Sequence, residues 1–305
     1  MSENKFGKVG PILHLPISRY EQDFFFMSDL HIDSIYSNRE LILEHLEKAI
    51  RRNAIIIMVG DIFDAMQGRF DPRRSMDLLR PEYRASNYFD LVVKDVAKLL
   101  SPFARNIALI SPGNHESSIR KNNGTDLIER LIYALNDRTG SQIIRGGYGG
   151  WIRVGLKPKN RACFYNIKYH HGFGGEAPVT RGVIHTNRQA IYLPDADVVI
   201  NGHNHNAFIL PITRERITNR GNHNFDNLWF LRTPGYLQSY ADGQEGWEVE
   251  RGGVPKPLGA IWGRFIWTND VNRRPQRLRF MPEIVAPNSV PSEWVHFDGQ
   301  VFPEE

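Results

Sequence analysis

The sequence predicts a layered α/β protein, and three observations carry that expectation. Strand-like and helix-like runs alternate through the first half of the chain. The run "AIIIMVGD" is apolar at every position and β-branched, the character of a parallel strand buried on both faces. After Asn206 the remaining apolar runs are nearly all of β type, so helices and a sheet are layered rather than wound into a bundle or a closed barrel.

Taken in order, "FFFM" at 24–27 reads as the first strand. Ser37 followed by Glu40 has the spacing of a capping box, and Ile42, Leu43, Leu46, Ala49 and Ile50 recur behind it at helical intervals. "AIIIMV" is the second strand, ending at Gly60-Asp61. Phe89, Val92, Val93, Val96 and Leu100 share one face of a helix expected over 86–100. "NIALIS" is the third strand and stops in a Pro-Gly turn, and 126–136 is a further amphipathic helix. "GGWIRVGL", "ACFYNIKYHHG" and "DADVVINGHNH" are strands, the last two running into glycine and histidine, with a helix expected over 183–193 between them. "AFILPI", "NLWFLRTPGYLQSY", "GAIWGRFIWT" and "QRLRFMPEIV" complete the strand set. No linker interrupts the series. We expect one domain over 1–270 and a C-terminal strand and tail over 271–305, packed on the same domain.

Composition narrows the chemistry. At 305 residues the chain can bury a sizeable core. Its single cysteine, Cys163, excludes an intramolecular disulfide framework and a cysteine-rich zinc site, so any metal must be held by His, Asp, Asn or Glu. No run reaches the ~20 apolar residues of a membrane span. The start, "MSENKFGKVGPILHLPISRY", lacks the apolar region of a signal peptide, and a cytoplasmic protein is expected. A net charge of +4 is compatible with polyanionic partners without requiring them.

The informative pattern is where polar residues fall. Asp29 and His31 follow the first strand, Asp61 and Asp64 the second, and Asn114 and His115 the third. His170 and His171 follow a fourth strand, and His203 and His205 a fifth. Carboxyl ends of neighbouring strands share one edge of an α/β sheet, so these side chains are expected to converge there. Four imidazoles, two carboxylates and an amide oxygen exceed what one ion can use. Two divalent ions about 3.5–4 Å apart, sharing a carboxylate, are the arrangement that clamps both oxygens of a phosphoryl displacement. Manganese is the expected ion, and iron, zinc, nickel and cobalt suit the same donors.

These residues carry a family resemblance. "DLH" (29–31), "GDIFD" (60–64), "GNHE" (113–116), "HG" (171–172) and "GHNH" (202–205) resemble, in order, the five motifs of the calcineurin-like metallophosphoesterases. "TPGY" (233–236) is similar to the turn that often follows the last ligand in that family. The resemblance implies a four-layer αββα sandwich, two packed mixed sheets flanked by helices. It implies that Asp29, His31 and His205 bind one ion, Asn114, His171 and His203 the second, and Asp61 both. A hydroxide between the ions would attack the phosphate, and His115, off the metals, would protonate the leaving oxygen or steady the phosphoryl charge. Asp64 would orient His115, or else cap a helix. His170 and His171 are adjacent and point opposite ways on a strand, so only one serves; the family pattern favours His171.

The substrate class stays more open. The stretch 66–86 carries Arg69, Arg73, Arg74, Arg80 and Arg84, either a phosphate clamp or a solvated insertion paired to its own acids. Trp247, Trp262 and Trp267 are interleaved with Arg264, Arg273, Arg274, Arg277 and Arg279, either a base-stacking groove or ordinary packing. The resemblance leans to the diester-cleaving branch of the family, acting on nucleic acid or nucleotides. The alternatives are a phosphomonoesterase acting on a small phosphate or phosphoprotein, and a catalytically silent scaffold.

Overall fold

The computed structural model describes residues 7–9, 11–65, 78–156, 163–175, 182–217, 221–238, 240, 254–267 and 278–285. Thirteen strands and five α-helices are described there. They are β1 (Gly7–Val9), β2 (Ile12–Ile17), β3 (Glu21–Met27), α1 (Arg39–Arg51), β4 (Ile55–Val59), α2 (Tyr88–Leu100), β5 (Ile107–Ser111), α3 (Asn114–Asn123), α4 (Leu127–Thr139), β6 (Ile144–Arg145), β7 (Gly149–Leu156), β8 (Cys163–His170), α5 (Val183–Tyr192), β9 (Val198–Asn201), β10 (Phe208–Ile217), β11 (His223–Arg232), β12 (Ala260–Trp267) and β13 (Leu278–Val285).

Two mixed sheets form. One has the order β1-β2-β7-β8-β9-β11-β10, the other β13-β12-β3-β4-β5-β6. In the second sheet β3, β4, β5 and β6 run parallel, and β12 joins β3 antiparallel. The all-apolar strand β4 is buried along its whole length, as a central parallel strand must be.

Side-chain alternation sorts the core into layers. Leu13, Leu15, Ile152, Val154 and Ile167 from one sheet meet Phe24, Phe26, Ile57 and Val59 from the other. The opposite faces of β3 and β4, with Phe25, Met27, Ile56 and Met58, pack on α1, α2 and α4. A smaller cluster covers the outer face of the first sheet beside α5, with Leu193, Ala196, Val199, Leu228 and Phe230. The result is an α/β sandwich of two mixed sheets flanked by helices, the architecture the resemblance implied.

Local chemistry shifts some expected boundaries. Asn38, not Ser37, caps α1: its side chain accepts from Leu41 N at 3.0 Å, while Ser37 Oγ donates to Leu30 O at 2.7 Å. Asp126 caps α4 through Glu129 N, as its position before the apolar run predicts. Two kinds of element had not been expected. Among strands these are the two-residue β6 and, in the N-terminal stretch, β1 and β2, where Leu13, Leu15 and Ile17 alternate inward. Helix α3 lies inside the GNHE segment, where Ile119 is the one fully buried aliphatic and gives no helical period to read.

Candidate metal centre

Five strands deliver the candidate residues to one edge of the sandwich: β3, β4 and β5 from one sheet, β8 and β9 from the other. The loop after β3 is fastened to the loop after β4 by a short ladder. Asp29 N donates to Gly60 O at 3.0 Å, Leu30 N to Asp61 O at 2.8 Å, and Ile32 N to Ile62 O at 3.0 Å. Within the first sheet Gly202 N donates to His171 O at 2.8 Å, and across the sheets Tyr236 N donates to Asp29 O at 2.9 Å.

The backbone leaves each strand abruptly. Asp29, His31, Asp61, His203 and His205 all hold positive φ, between 45° and 76°. Such angles are costly for residues with a Cβ and concentrate where a site over-determines them. Each turn redirects a polar side chain from the layered core to the edge. Glycine permits the closest approaches. A Cβ on Gly60 (φ +83°) would overlap the His171 ring, and one on Gly113 would overlap the Asp61 carboxylate.

The converging groups form three triads, two of them sharing His31, each with its ligand atoms within 4.8 Å of one another: Asp29, His31 and His205; Asp61, His171 and His203; and His31, Asp64 and His115. His171 Nε2 links the first two, 3.0 Å from Asp61 Oδ2 and 3.9 Å from Asp29 Oδ1. Asn114 Oδ1 lies 3.0 Å from His171 Nε2 and 2.8 Å from His203 Nδ1. Asp29, His31, Asp61 and His171 are all essentially inaccessible to solvent.

Hydrogen bonds set the imidazoles. His171 Nδ1 donates to Val59 O at 2.9 Å, which turns Nε2 toward the carboxylates. His31 Nδ1 donates to Asp64 Oδ1 at 2.9 Å. His115 Nδ1 donates to the Asp64 carbonyl at 2.5 Å, with the Asp64 carboxylate 3.4 Å away. Asp64 therefore serves two histidines, with its carboxylate given first to His31 and its main chain to His115. His170 takes no place in the cluster. It accepts from Gly172 N at 3.0 Å and rests against Tyr148 and Phe173.

The buried carboxylates carry negative charge, and the imidazoles beside them supply the compensation. Burial pushes the Asp29 carboxyl up, but the His205 and His171 imidazoles outweigh it and hold the group at about 2. Burial likewise opposes ionisation of Asp61, and His171 and His115 overcome it to bring the group well below the usual range. For His171, burial pulls down while Asp61 and Asp29 push up, leaving it at about 10. The residues fit a pair of metal ions on an independent ground. His31 Nε2, on the ring's far side from Asp64, is buried and has no hydrogen-bond partner. A buried polar nitrogen left this way is costly unless a ligand meets it.

Two supporting acids had been given no such role. Glu116 accepts from Asp61 N (3.2 Å), Phe63 N (2.9 Å) and Gly113 N (2.8 Å), tying the second motif to the third. Burial and the Asp61 charge raise its carboxyl to about 7. Asp33 does not cap a helix. It accepts from Asp64 N at 2.5 Å, Ala65 N at 2.9 Å and the Tyr88 hydroxyl. Glu116 stands inside "GNHE" and was available to a reader of the sequence; Asp33 had no signal beyond its proximity to His31.

The arginine and tryptophan segments resolve differently. Arg80 donates to Ser34 O and Ser37 O, and Arg84 to Leu79 O, so both arginines pin backbone. Arg69, Arg73 and Arg74 lie outside the described residues. Trp262 is buried against Phe25 with Arg52 over its ring, and Arg264 is buried in a two-point pair with Asp23. These are packing contacts. Trp247, Arg273, Arg274 and Arg277 lie outside the described residues, as do the side chains of Trp267 and Arg279. Among the described residues no helix is long and apolar enough to cross a membrane.

Comparison with known proteins agrees with this geometry. A search of curated proteins returns no match. Among solved structures, a metallophosphoesterase from Sphaerobacter thermophilus is 15% identical, with 86% of this chain and 88% of that one covered and a TM-score of 0.32. GAP50, the anchor in the inner membrane complex of Plasmodium, is 11% identical, with 88% and 85% covered and a TM-score of 0.41. A conserved protein from Streptococcus pneumoniae described as a predicted phosphoesterase is 10% identical, with 87% and 99% covered and a TM-score of 0.32. Likenesses this distant carry no argument. The sequence model of the calcineurin-like phosphoesterases, in contrast, matches residues 23–207 and so spans every candidate ligand. The chain belongs to the calcineurin-like phosphoesterase family and is a metallophosphoesterase.

Proposed function

We propose that the protein hydrolyses phosphodiesters of nucleic acid or nucleotides with a pair of divalent ions, manganese being the first to test. One observation carries this reading: two donor triads, all but His203 buried, linked by His171 Nε2 near Asp29, with a further imidazole, His115, held beside them by Asp64. Asp29, His31 and His205 would hold one ion and Asn114, His171 and His203 the other, with the Asp61 carboxylate available to both. When bound, the ions supply Lewis acidity that lowers the pKa of a water and offsets the phosphoryl charge. The chain's own residues do the rest. Val59 O and Asp64 Oδ1 keep His171 and His31 in the tautomers that present Nε2. His115, anchored at Nδ1 by the Asp64 carbonyl, holds a proton at Nε2 for the leaving oxygen.

A monoesterase would need a clamp for the terminal phosphate, and the arginines expected to form it that are described, Arg80 and Arg84, are committed to backbone carbonyls. Those two are thereby withdrawn from such a clamp, and the other three lie outside the described residues.

The test compares bis-p-nitrophenyl phosphate with p-nitrophenyl phosphate on metal-stripped protein reloaded with manganese. We expect the diester to be preferred, and His115→Ala to lower its turnover at least ~100-fold while the metal content stays unchanged. Monoester preference, or undiminished turnover in His115→Ala or Asp61→Ala, overturns the proposal.

A further inference from the structure

The outer face of the first sheet is divided. Under α5 it is covered, with β9, β10 and β11 contributing to the cluster there and Trp151 of β7 packed against its margin. Along β7 and β8 the outward side chains are half-buried or exposed. Ile152, Val154, Ile167 and Tyr169 face the core, so alternation turns Trp151, Arg153, Phe164, Lys168 and His170 outward.

These outward residues form cation–aromatic pairs. The Arg153 guanidinium lies 4.2 Å from the Phe164 ring centre, and Lys168 Nζ lies 5.2 Å from that of Trp151, directly across the ladder. Neither cation has a carboxylate partner among the described residues, and Arg153 Nε is buried without a hydrogen bond. Phe164 is 51% exposed. At the other end of β8, His170 stacks edge-on against Phe173, which is 54% exposed. The next residue is His171 of the metal cluster. From Phe164 to His170 the strand spans roughly 20 Å.

We propose that this strip is a binding track for single-stranded nucleic acid that leads to the metal centre along β8. Arg153 and Lys168 meet phosphates, and Phe164 and Phe173 offer ring faces or edges on which bases stack. Charge complementarity selects the partner: two unneutralised cations fixed on aromatic faces suit a chain that alternates phosphate with flat rings. A protein partner would be expected to meet apolar or acidic complements here, and the strip presents a cation at Phe164 and at Trp151. The track deepens the diester reading given above and rests on it for the identity of the substrate.

Binding is read apart from catalysis. Metal-stripped full-length protein is titrated with fluorescein-labelled oligo(dT) by anisotropy, at several salt concentrations. Arg153→Gln with Lys168→Gln is expected to weaken binding at least tenfold and to flatten the log–log salt dependence by about 1.4, at ~0.7 per single-strand phosphate contact. Phe164→Ala is expected to weaken binding at least fivefold with the salt slope unchanged. All of these variants should hydrolyse bis-p-nitrophenyl phosphate as the parent does. Parent-like affinity and slope in the double variant overturn the track, as does the absence of oligo(dT) binding by the parent. Loss of self-association in the variants, seen by sedimentation, overturns it in favour of a contact between copies. If oligo(dT) binding depends on Arg153 and Lys168 while no diester is hydrolysed, the track stands and the reading of the metal centre fails.

Discussion

Asp64 shows how much a single carboxylate can organise. Its Oδ1 holds His31 Nδ1 at 2.9 Å, leaving the buried His31 Nε2 for an ion. Supporting partners of this kind change metal affinity by ~10–100-fold when removed. Asp64→Asn should therefore raise the manganese dissociation constant by about that factor, measured by titration calorimetry, with the fold intact by circular dichroism. Gly60 is the other residue on which the site turns. At φ +83° and against the His171 ring, alanine would be strained by its backbone and by overlap together. Gly60→Ala should destabilise the protein by about 1–3 kcal/mol in urea unfolding and displace His171, lowering metal content as well.

Between elements, the join of β3 to β12 brings a late strand against the first ligand-bearing one. Asp23 on β3 accepts from Arg264 at 2.7 and 3.0 Å and from Arg52 at 3.0 Å, and both Asp23 and Arg264 are buried. Removing one partner of a buried pair leaves the other charge without its main compensation. Asp23→Ala should lower unfolding stability by about 3 kcal/mol, while Arg264→Ala together with Asp23→Ala should cost less than the two single changes summed. Additive losses would show that the pair is not coupled. The same join explains the C-terminal tryptophans: Trp262 packs on Phe25, and β12 presents it to the helical side of the sheet.

Across the whole chain, acid stability should report a buried histidine outside the candidate ligand set. His45 on α1 contacts Tyr236, whose hydroxyl lies 2.9 Å from His45 Nδ1 and whose backbone N donates to Asp29 O. Burial, with Lys48 nearby, lowers His45 to about 4. In the unfolded chain the group titrates near 6.5. Between those values the unfolded state binds a proton that the folded state refuses, so stability is full above about pH 6.5 and is lost as pH falls toward 4. The loss reaches about 3 kcal/mol. Melting temperatures of the parent should drop through this window, and His45→Gln should flatten the drop. An identical slope in the variant would remove His45 as the cause.

Residue types and spacing were enough to read the alternation of strands and helices, the buried parallel strand at 55–59, and the polar residues at five strand ends. Burial and metal chemistry constrain composition locally, and local constraints leave a pattern in sequence. Choices that depend on partners distant along the chain left no such pattern. His171 is turned to the cluster by Val59 O, 112 residues away, while His170 ends β8 facing outward. Asp64 is divided between His31 and His115, 33 and 51 residues away. Arg80 and Arg84 reach backbone carbonyls, although their sequence suits a phosphate clamp equally well. Helix α3 forms because Gly113 and Glu116 close its first turn beneath Asp61, with too few apolar residues to announce it. The donor types at the strand ends are thus a property of the sequence, and their aim is a property of the fold, because a side chain's direction is set by hydrogen bonds that exist only once both sheets have met.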